Sequence, residues 1–234
     1  LGLPRLGLSI RYFRGLPESL REFPIQAHFP ALPPVGTVES RARALAGYIE
    51  TLGTETVHLI GHSMGGKVAM WLALTEPEKV NRLVVVDVAP VAYPHRFESI
   101  FQGLQAIDLA RLANRQAADR QLADYVENPQ IRGYLLQNLV KQSGGWAWRL
   151  NLPVLHREIA TLAGFPTPGS RRFPGPALFI YGGNSAYVQA DYFTAIQSCF
   201  AFARLRAVAG AGHWVFADQP AAFIQAVNTF LGSS

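Results

Sequence analysis

The stretch Thr56 to Leu74, TVHLIGHSMGGKVAMWLAL, reads as a buried strand, a forced sharp turn carrying a serine, and a helix. Thr56 to Ile60 is a β-branched and apolar run of strand length, and Lys67 to Leu74 is a helix-forming segment stopped by Pro77. Between them lies Gly61-His62-Ser63-Met64-Gly65, a G-x-S-x-G pattern. A turn this tight forces strained backbone angles on the serine, and small residues two before and two after it let strand and helix approach closely. The Ser63 hydroxyl then projects above the sheet edge as a candidate nucleophile. The backbone N–H of Met64 can point at a developing oxyanion, with the partial positive charge of the helix N-terminus behind it. The glycines do not fit the phosphate-binding pattern G-x-x-x-x-G-K-[ST], and Lys67 reads as a solvated helix residue.

The whole chain, 234 residues and 49% hydrophobic, is long and apolar enough for a large buried core. A charged fraction of 16% argues against disorder or an acidic tail. The net charge of +5 would suit a nucleic-acid partner, but the 21 Lys and Arg residues are scattered, so the basicity reads as solvated surface. The single cysteine, Cys199, excludes an internal disulfide and matches no metal-binding spacing. No apolar run reaches membrane-spanning length, and Pro4 and Arg5 interrupt any signal-peptide core in Leu1 to Ile10. These features lead to the expectation of a cytoplasmic protein with no cofactor, metal, nucleic acid or membrane span.

Working outward from the serine, Thr37 to Gly53 has Val38, Ala42, Leu45, Ala46, Ile49 and Leu52 on one helical face, with Thr37 as cap and Gly53 as stop. Before it, residues 1–36 carry six of the 16 prolines and no clear period, with Leu8 to Phe13 as one short strand. After the serine helix, Arg82 to Asp87 (RLVVVD) is apolar almost throughout, as expected of a parallel strand covered on both faces, and it ends in a carboxylate. Strand, helix, strand implies a right-handed crossover that brings Asp87 to the same sheet edge as Ser63.

From Val91 to Phe165 the pattern turns helical: Phe97, Ile100, Phe101, Leu104 and Ile107, then Leu122, Tyr125 and Val126, then Ile131, Tyr134, Leu135 and Leu139. This predicts a helical cap at 91–165 inserted into a core of 1–90 and 166–234, with Trp146 and Trp148 either in the cap core, the commoner place for aromatics in such a segment, or lining the pocket beneath it. Strands return at Ala177 to Tyr181 and at Ala203 to Ala209, and Phe223, Ile224, Val227, Phe230 and Leu231 mark a final helix. Alternating strands and helices give an α/β fold with a mostly parallel central sheet flanked by helices.

A serine hydroxyl needs a base, and the base needs an acid to fix its tautomer. His213 is the best base: it lies in the Gly-rich loop GAGHW after the last strand. His62, as the neighbour of Ser63 in the turn, reads as packed underneath it, and His28, His58, His95 and His156 have no catalytic context. Asp218 reads as the cap of the final helix. Asp87 ends the strand beside the serine strand, and a spacing of roughly 4.8 Å lets its carboxylate reach a histidine poised over Ser63; the other reading is a strand-end residue bound to local backbone N–H groups.

Ser63 in GHSMGG, the RLVVVD strand, the helical insertion, ALFIYGGNSAYV and the late GAGHW together resemble the α/β-hydrolase superfamily. More narrowly, GHSMGGKVAM, VDVAPVAY, LLQNLV, WRLNLPVL and GGNSAYV look like small bacterial esterases of the YbfF type, a resemblance running from Thr37 to Leu231. Most α/β-hydrolases place the acid after the strand that follows the cap. Here that turn holds Asn184 and no carboxylate; the esterase resemblance implies the earlier position, Asp87, in agreement with the strand-end argument.

The resemblance therefore implies a serine carboxylesterase acting on small to medium acyl esters, with catalytic Ser63, Asp87 and His213 and the Met64 N–H at the oxyanion. Thioesters, other hydrolase-fold reactions and a non-catalytic ligand-binding role remain open beside it. The departure is at the front: the HG motif that usually supplies a second oxyanion donor is missing, with Arg14-Gly15-Leu16 the only substitute. Together with a start at Leu1, this leads to the expectation of a truncated or replaced N-terminal segment and missing edge strands.

Overall fold

A computed structural model describes residues 28, 30, 32–33, 36–94 and 97–232, with Leu162 described by its backbone alone. The proposed Leu8 to Phe13 strand and the Arg14-Gly15-Leu16 segment lie outside these residues. The chain divides into two compact units, one comprising residues up to Ala92 together with those from Gly164, the other Tyr93–Ala163.

The first unit is built on four parallel strands in the order β1 (Val57–His62), β2 (Val80–Val86), β5 (Ala177–Gly182), β6 (Ala203–Val208). In β2 the apolar run Leu83 to Val86 is buried throughout, because helices cover the sheet. Helix α1 (Val38–Glu50) buries Val38, Ala42, Leu45, Ala46 and Ile49, and Thr37 Oγ1 accepts from the Ser40 N–H at 3.1 Å as its cap. Helix α2 (Met64–Thr75) is buried around almost its whole circumference. Helix α9 (Pro220–Gly232) lays Phe223, Val227, Phe230 and Leu231 against Val84, Val86, Leu178 and Ile180 of the sheet. The register pairs His62 with Val86, Val86 with Ile180 and Gly182 with Val208, so all four strands end along one edge.

The inserted unit holds α3 (Glu98–Ala106), α4 (Arg115–Ala123), α5 (Pro129–Leu136) and α6 (Leu152–Ala163). Asn114 and Asn128 cap α4 and α5 through their side-chain oxygens. It is not purely helical. Leu139–Gln142 (β3) and Gly145–Trp148 (β4) form an antiparallel hairpin, which corrects the expectation that Leu139 extends a helix. Ser143 and Gly144 make the tight reversal, and Gly145 at φ 117° closes it opposite Gln142. Trp146 and Trp148 pack against the unit's core of Leu104, Leu112, Leu122 and Leu136. Among the described residues no helix is long and apolar enough to cross a membrane.

Candidate active site

At the end of β1 the backbone turns through Ser63 at φ 53° and ψ −121°. A side chain tolerates this conformation only when its surroundings enforce it. A Cβ on Gly61 would fall into the Gly65 carbonyl, so the close approach of strand and helix depends on glycine there. The Ser63 N–H donates to the Val86 carbonyl at 3.0 Å, fixing the turn to the neighbouring strand. Met64 is the first residue of α2, where the helix N-terminus carries a partial positive charge.

The adjacent strand ends the same way. Asp87 follows β2 at φ 52° and is the other non-glycine residue with positive φ among the described residues. Its N–H donates to the Ile180 carbonyl at 2.8 Å. Its side chain is completely buried and accepts three hydrogen bonds: from the Gly182 N–H at 3.0 Å, the Ser185 hydroxyl at 2.5 Å and His213 Nδ1–H at 2.7 Å. A buried carboxylate needs such partners, since its desolvation is otherwise costly. Donation from Nδ1 leaves His213 Nε2 with its lone pair, the tautomer a general base requires.

The loop that presents His213 is braced from several directions. Ala211 O accepts from the Asn184 N–H at 2.9 Å, and a Cβ on Gly182 would collide with the Gly212 carbonyl, so β5 and the loop are in close contact. The Gly212 N–H donates to Asp218 Oδ2 at 2.8 Å. Asp218 thus secures the His213 loop rather than capping α9, because it ends its own short helix, α8 (Val215–Asp218), with Gln219 between it and the start of α9 at Pro220. His62 Nε2–H donates to the His213 carbonyl at 2.9 Å, and its ring packs 4.6 Å from the His213 ring and 5.0 Å from Phe216. Burial, and then the neighbouring His213, hold the His62 imidazole well below its ordinary pKa, against the opposing pull of that carbonyl. His62 is therefore a neutral buttress beneath the loop.

The structure brings Asp87 and His213 into direct contact and sets Ser63 on the strand next to Asp87. Two further residues belong to this constellation. Ser185 stands in the turn after β5 and donates to Asp87; the sequence signal was a hydroxyl in the turn where a carboxylate is usual for the fold. Tyr187, two residues on, stacks on the His213 ring.

Lys67, expected to be solvated, is instead 2% exposed, and its Nζ donates to the Gly164 carbonyl at 2.8 Å. The reason is its helix: Gly65 to Leu74 is buried throughout, so no face of α2 in that span reaches solvent. Burial lowers the Lys67 pKa to about 8. No group of three or more His, Cys, Asp or Glu residues able to hold a metal occurs among the described residues.

A family profile described as "Alpha/beta hydrolase family" matches residues 8–226. The chain belongs to the α/β-hydrolase family. It is 39% identical over 204 residues to the sn-1-specific diacylglycerol lipase ABHD11 of Mus musculus, a match covering 85% of this chain and 66% of the lipase, just under two thirds of its length. It is 33% identical over 202 residues to esterase YbfF of Escherichia coli strain K12, covering 85% of this chain and 76% of that one. Among solved structures, a marine microorganism esterase superposes with a TM-score of 0.84 at 30% identity, covering 97% of this chain and 92% of the other. The α/β-hydrolase fold and the likeness to YbfF-type esterases expected from the motifs are both found.

Proposed function

We propose that this α/β-hydrolase is a serine carboxylesterase that cleaves small to medium acyl esters through an acyl-enzyme. The observation that carries the reading is the 2.7 Å bond from His213 Nδ1–H to buried Asp87, at the sheet edge where the strained turn holds Ser63 on the adjoining strand. The relatives named as an esterase and a diacylglycerol lipase support ester chemistry.

In this mechanism Ser63 Oγ attacks the acyl carbonyl carbon while His213 Nε2 takes its proton. Asp87 keeps the imidazole in the required tautomer and stabilises the imidazolium that forms. The Met64 N–H faces the oxyanion of the tetrahedral intermediate, and each donor of this kind typically contributes about 10²- to 10³-fold in kcat. Collapse breaks the ester C–O bond, the imidazolium protonates the departing alkoxide, and water then attacks the acyl-Ser63 ester by the same route. The steps need no cofactor or metal. The inserted unit, which leaves the core shortly after Asp87, is assigned the role of substrate cap.

The test is hydrolysis of p-nitrophenyl esters from acetate to laurate, with a diacylglycerol and an acyl thioester in parallel, by the wild type and by Ser63→Ala at equal folded concentration. Activity that falls to background in Ser63→Ala supports the reading, and the rank order of substrates sets acyl length and leaving group. A folded wild type that neither turns over any of them nor is labelled by a fluorophosphonate would overturn it in favour of a ligand-binding protein.

A further inference from the structure

His213 is surrounded by aromatic rings that differ in geometry. Trp214 meets it nearly edge-on, with 5.4 Å between centroids and 71° between planes. His62 is tilted, at 4.6 Å and 45°. Tyr187 lies closest and most nearly parallel, at 4.1 Å and 27°. It therefore offers His213 the face of its ring, the negative side of the aromatic quadrupole. Tyr187 is also tied to the acid: its N–H donates at 3.2 Å to Ser185 Oγ, the same hydroxyl that donates to Asp87 Oδ2.

We infer that Tyr187 is a positioning residue whose ring face holds the His213 imidazole against Asp87 and favours its protonated form. Its catalytic consequence rests on the serine-esterase reading above; its effect on His213 protonation does not.

A neutral imidazole stacked on a phenol ring gains mainly dispersion, whereas an imidazolium also gains cation–π attraction to the ring face. The imidazolium exists only once Ser63 has surrendered its proton. The contact is thus stronger in the transition state than in the ground state, which is the condition for raising kcat rather than merely tightening binding. Tyr187 also blocks one direction in which the imidazole could swing away from Asp87.

The charged and titratable groups around His213 are few enough for the effect to be read. From the end of β2, the Asp87 carboxylate faces Nδ1. Asp218 in α8 accepts from the Gly212 N–H beside His213. His62 at the end of β1 is neutral because it is buried. The Tyr187 phenol itself is pushed above its ordinary pKa by burial and then by Asp87, so it stays uncharged.

The experiment compares Tyr187→Leu, which removes the ring, with Tyr187→Phe, which keeps it, using p-nitrophenyl butyrate kinetics across pH and an NMR titration of the His213 ring. Tyr187→Leu should lower kcat about 3- to 10-fold with little change in KM, and move the acid limb of the kcat/KM profile and the NMR midpoint about half a unit to one unit lower in pH. Tyr187→Phe should recover most of both shifts. Tyr187→Met provides the same ring-free comparison where the Leu variant fails to fold. A ring-free variant with wild-type kcat and an unmoved NMR midpoint would overturn the inference. So would a Phe variant that falls as far as Leu, because the hydroxyl would then be responsible. A wild type lacking esterase activity would refute the serine-esterase reading instead, and the NMR midpoint would still decide the role of Tyr187.

Discussion

The two units of the chain use polar residues in opposite ways. Among the described residues of the core unit Arg41, His62, Lys67 and Asp87 are buried, and two non-glycine residues, Ser63 and Asp87, hold positive φ. In the inserted unit the charged side chains pair at or near the surface, Arg132 with Asp119, His156 with Glu98 and Arg111 with Asp108. Among its described residues the buried polar side chain is Asn138, which bonds to its own local backbone at Leu135. Surface pairs contribute little, whereas burying ionisable groups and straining the backbone are both costly. His62, Ser63 and Asp87 gather such costs along one sheet edge, as a site built for chemistry would, and among the described residues the inserted unit shows no comparable concentration. Substitutions in the core should accordingly be read in rate and pH dependence, and those in the insertion in stability alone.

The largest expected effect belongs to Asp87→Asn. The amide keeps the size of the side chain but cannot stabilise an imidazolium, and it can present an N–H where His213 needs an acceptor. The corresponding change in serine proteases lowers kcat by about 10⁴, and a loss of similar order is expected in p-nitrophenyl butyrate hydrolysis with circular dichroism unchanged. A loss below about tenfold would assign Asp87 to backbone bracing of Gly182 and remove the contrast between the units.

Lys67 comes next, and its signature is a pH dependence. The pKa of a lysine that is lowered by burial to about 8 in the fold and returns near 10.5 on unfolding makes the unfolded chain bind more protons between those limits. Stability from this group therefore rises with pH across that window, and below about 8 the folded state bears the full cost of the buried ammonium. Relative to Lys67→Met, the wild type should gain roughly 3 kcal/mol between pH 7 and pH 10.5, measured by urea unfolding. Parallel stability curves would show that burial leaves the Lys67 pKa where it is in the unfolded chain, with the ammonium still charged inside the fold.

The core was legible because its strands carry almost unbroken apolar runs and its turns carry glycine where backbones meet. Thr56 to Leu74 specified strand, turn and helix, and RLVVVD placed a carboxylate beside the serine by register alone. Lys67 was misread because a lone lysine on a helix suggests a wet face; the apolar residues on every side of Gly65 to Leu74 argued the reverse. Asp218 precedes a proline-started helix and so imitated a cap, when its partner is the Gly212 N–H, a contact set by tertiary packing. The β3–β4 hairpin escaped because four-residue strands are too short to establish a period, and Leu139 also continues the helical spacing of Ile131 and Leu135. Ser185 had only its place in a turn to recommend it.

Within the insertion, Gly103→Ala should have the larger effect. A Cβ there would lie 2.7 Å from Tyr125 Cβ and 2.8 Å from Leu122 Cδ1 where α3 packs on α4. Overpacking of this kind costs about 1–3 kcal/mol, and it should appear as a lower urea midpoint with kcat per folded molecule unchanged. A fall in kcat per folded molecule would instead tie this helix contact to turnover and blur the division between the units.

The smallest effect is expected at Glu98→Gln. The hydrogen bond from His156 Nε2 at 2.9 Å holds the Glu98 carboxyl below the usual carboxylate range. A depressed acid pKa contributes stability above the unfolded value and loses it as pH falls through the folded one, so any contribution is present at pH 7. Two facts keep it small. The Glu98 side chain is 63% exposed, so solvent and salt screen the pair. His156 is also held independently, stacked on Phe101 at 4.7 Å with 12° between planes, and therefore does not need Glu98 to stay in place. The urea midpoint of Glu98→Gln should match the wild type at pH 7 in 0.15 M and in 1 M NaCl. A clear destabilisation that vanishes in high salt would mean that the insertion, too, depends on its charges, and the distinction drawn from burial would have to rest on the strained residues Ser63 and Asp87 alone.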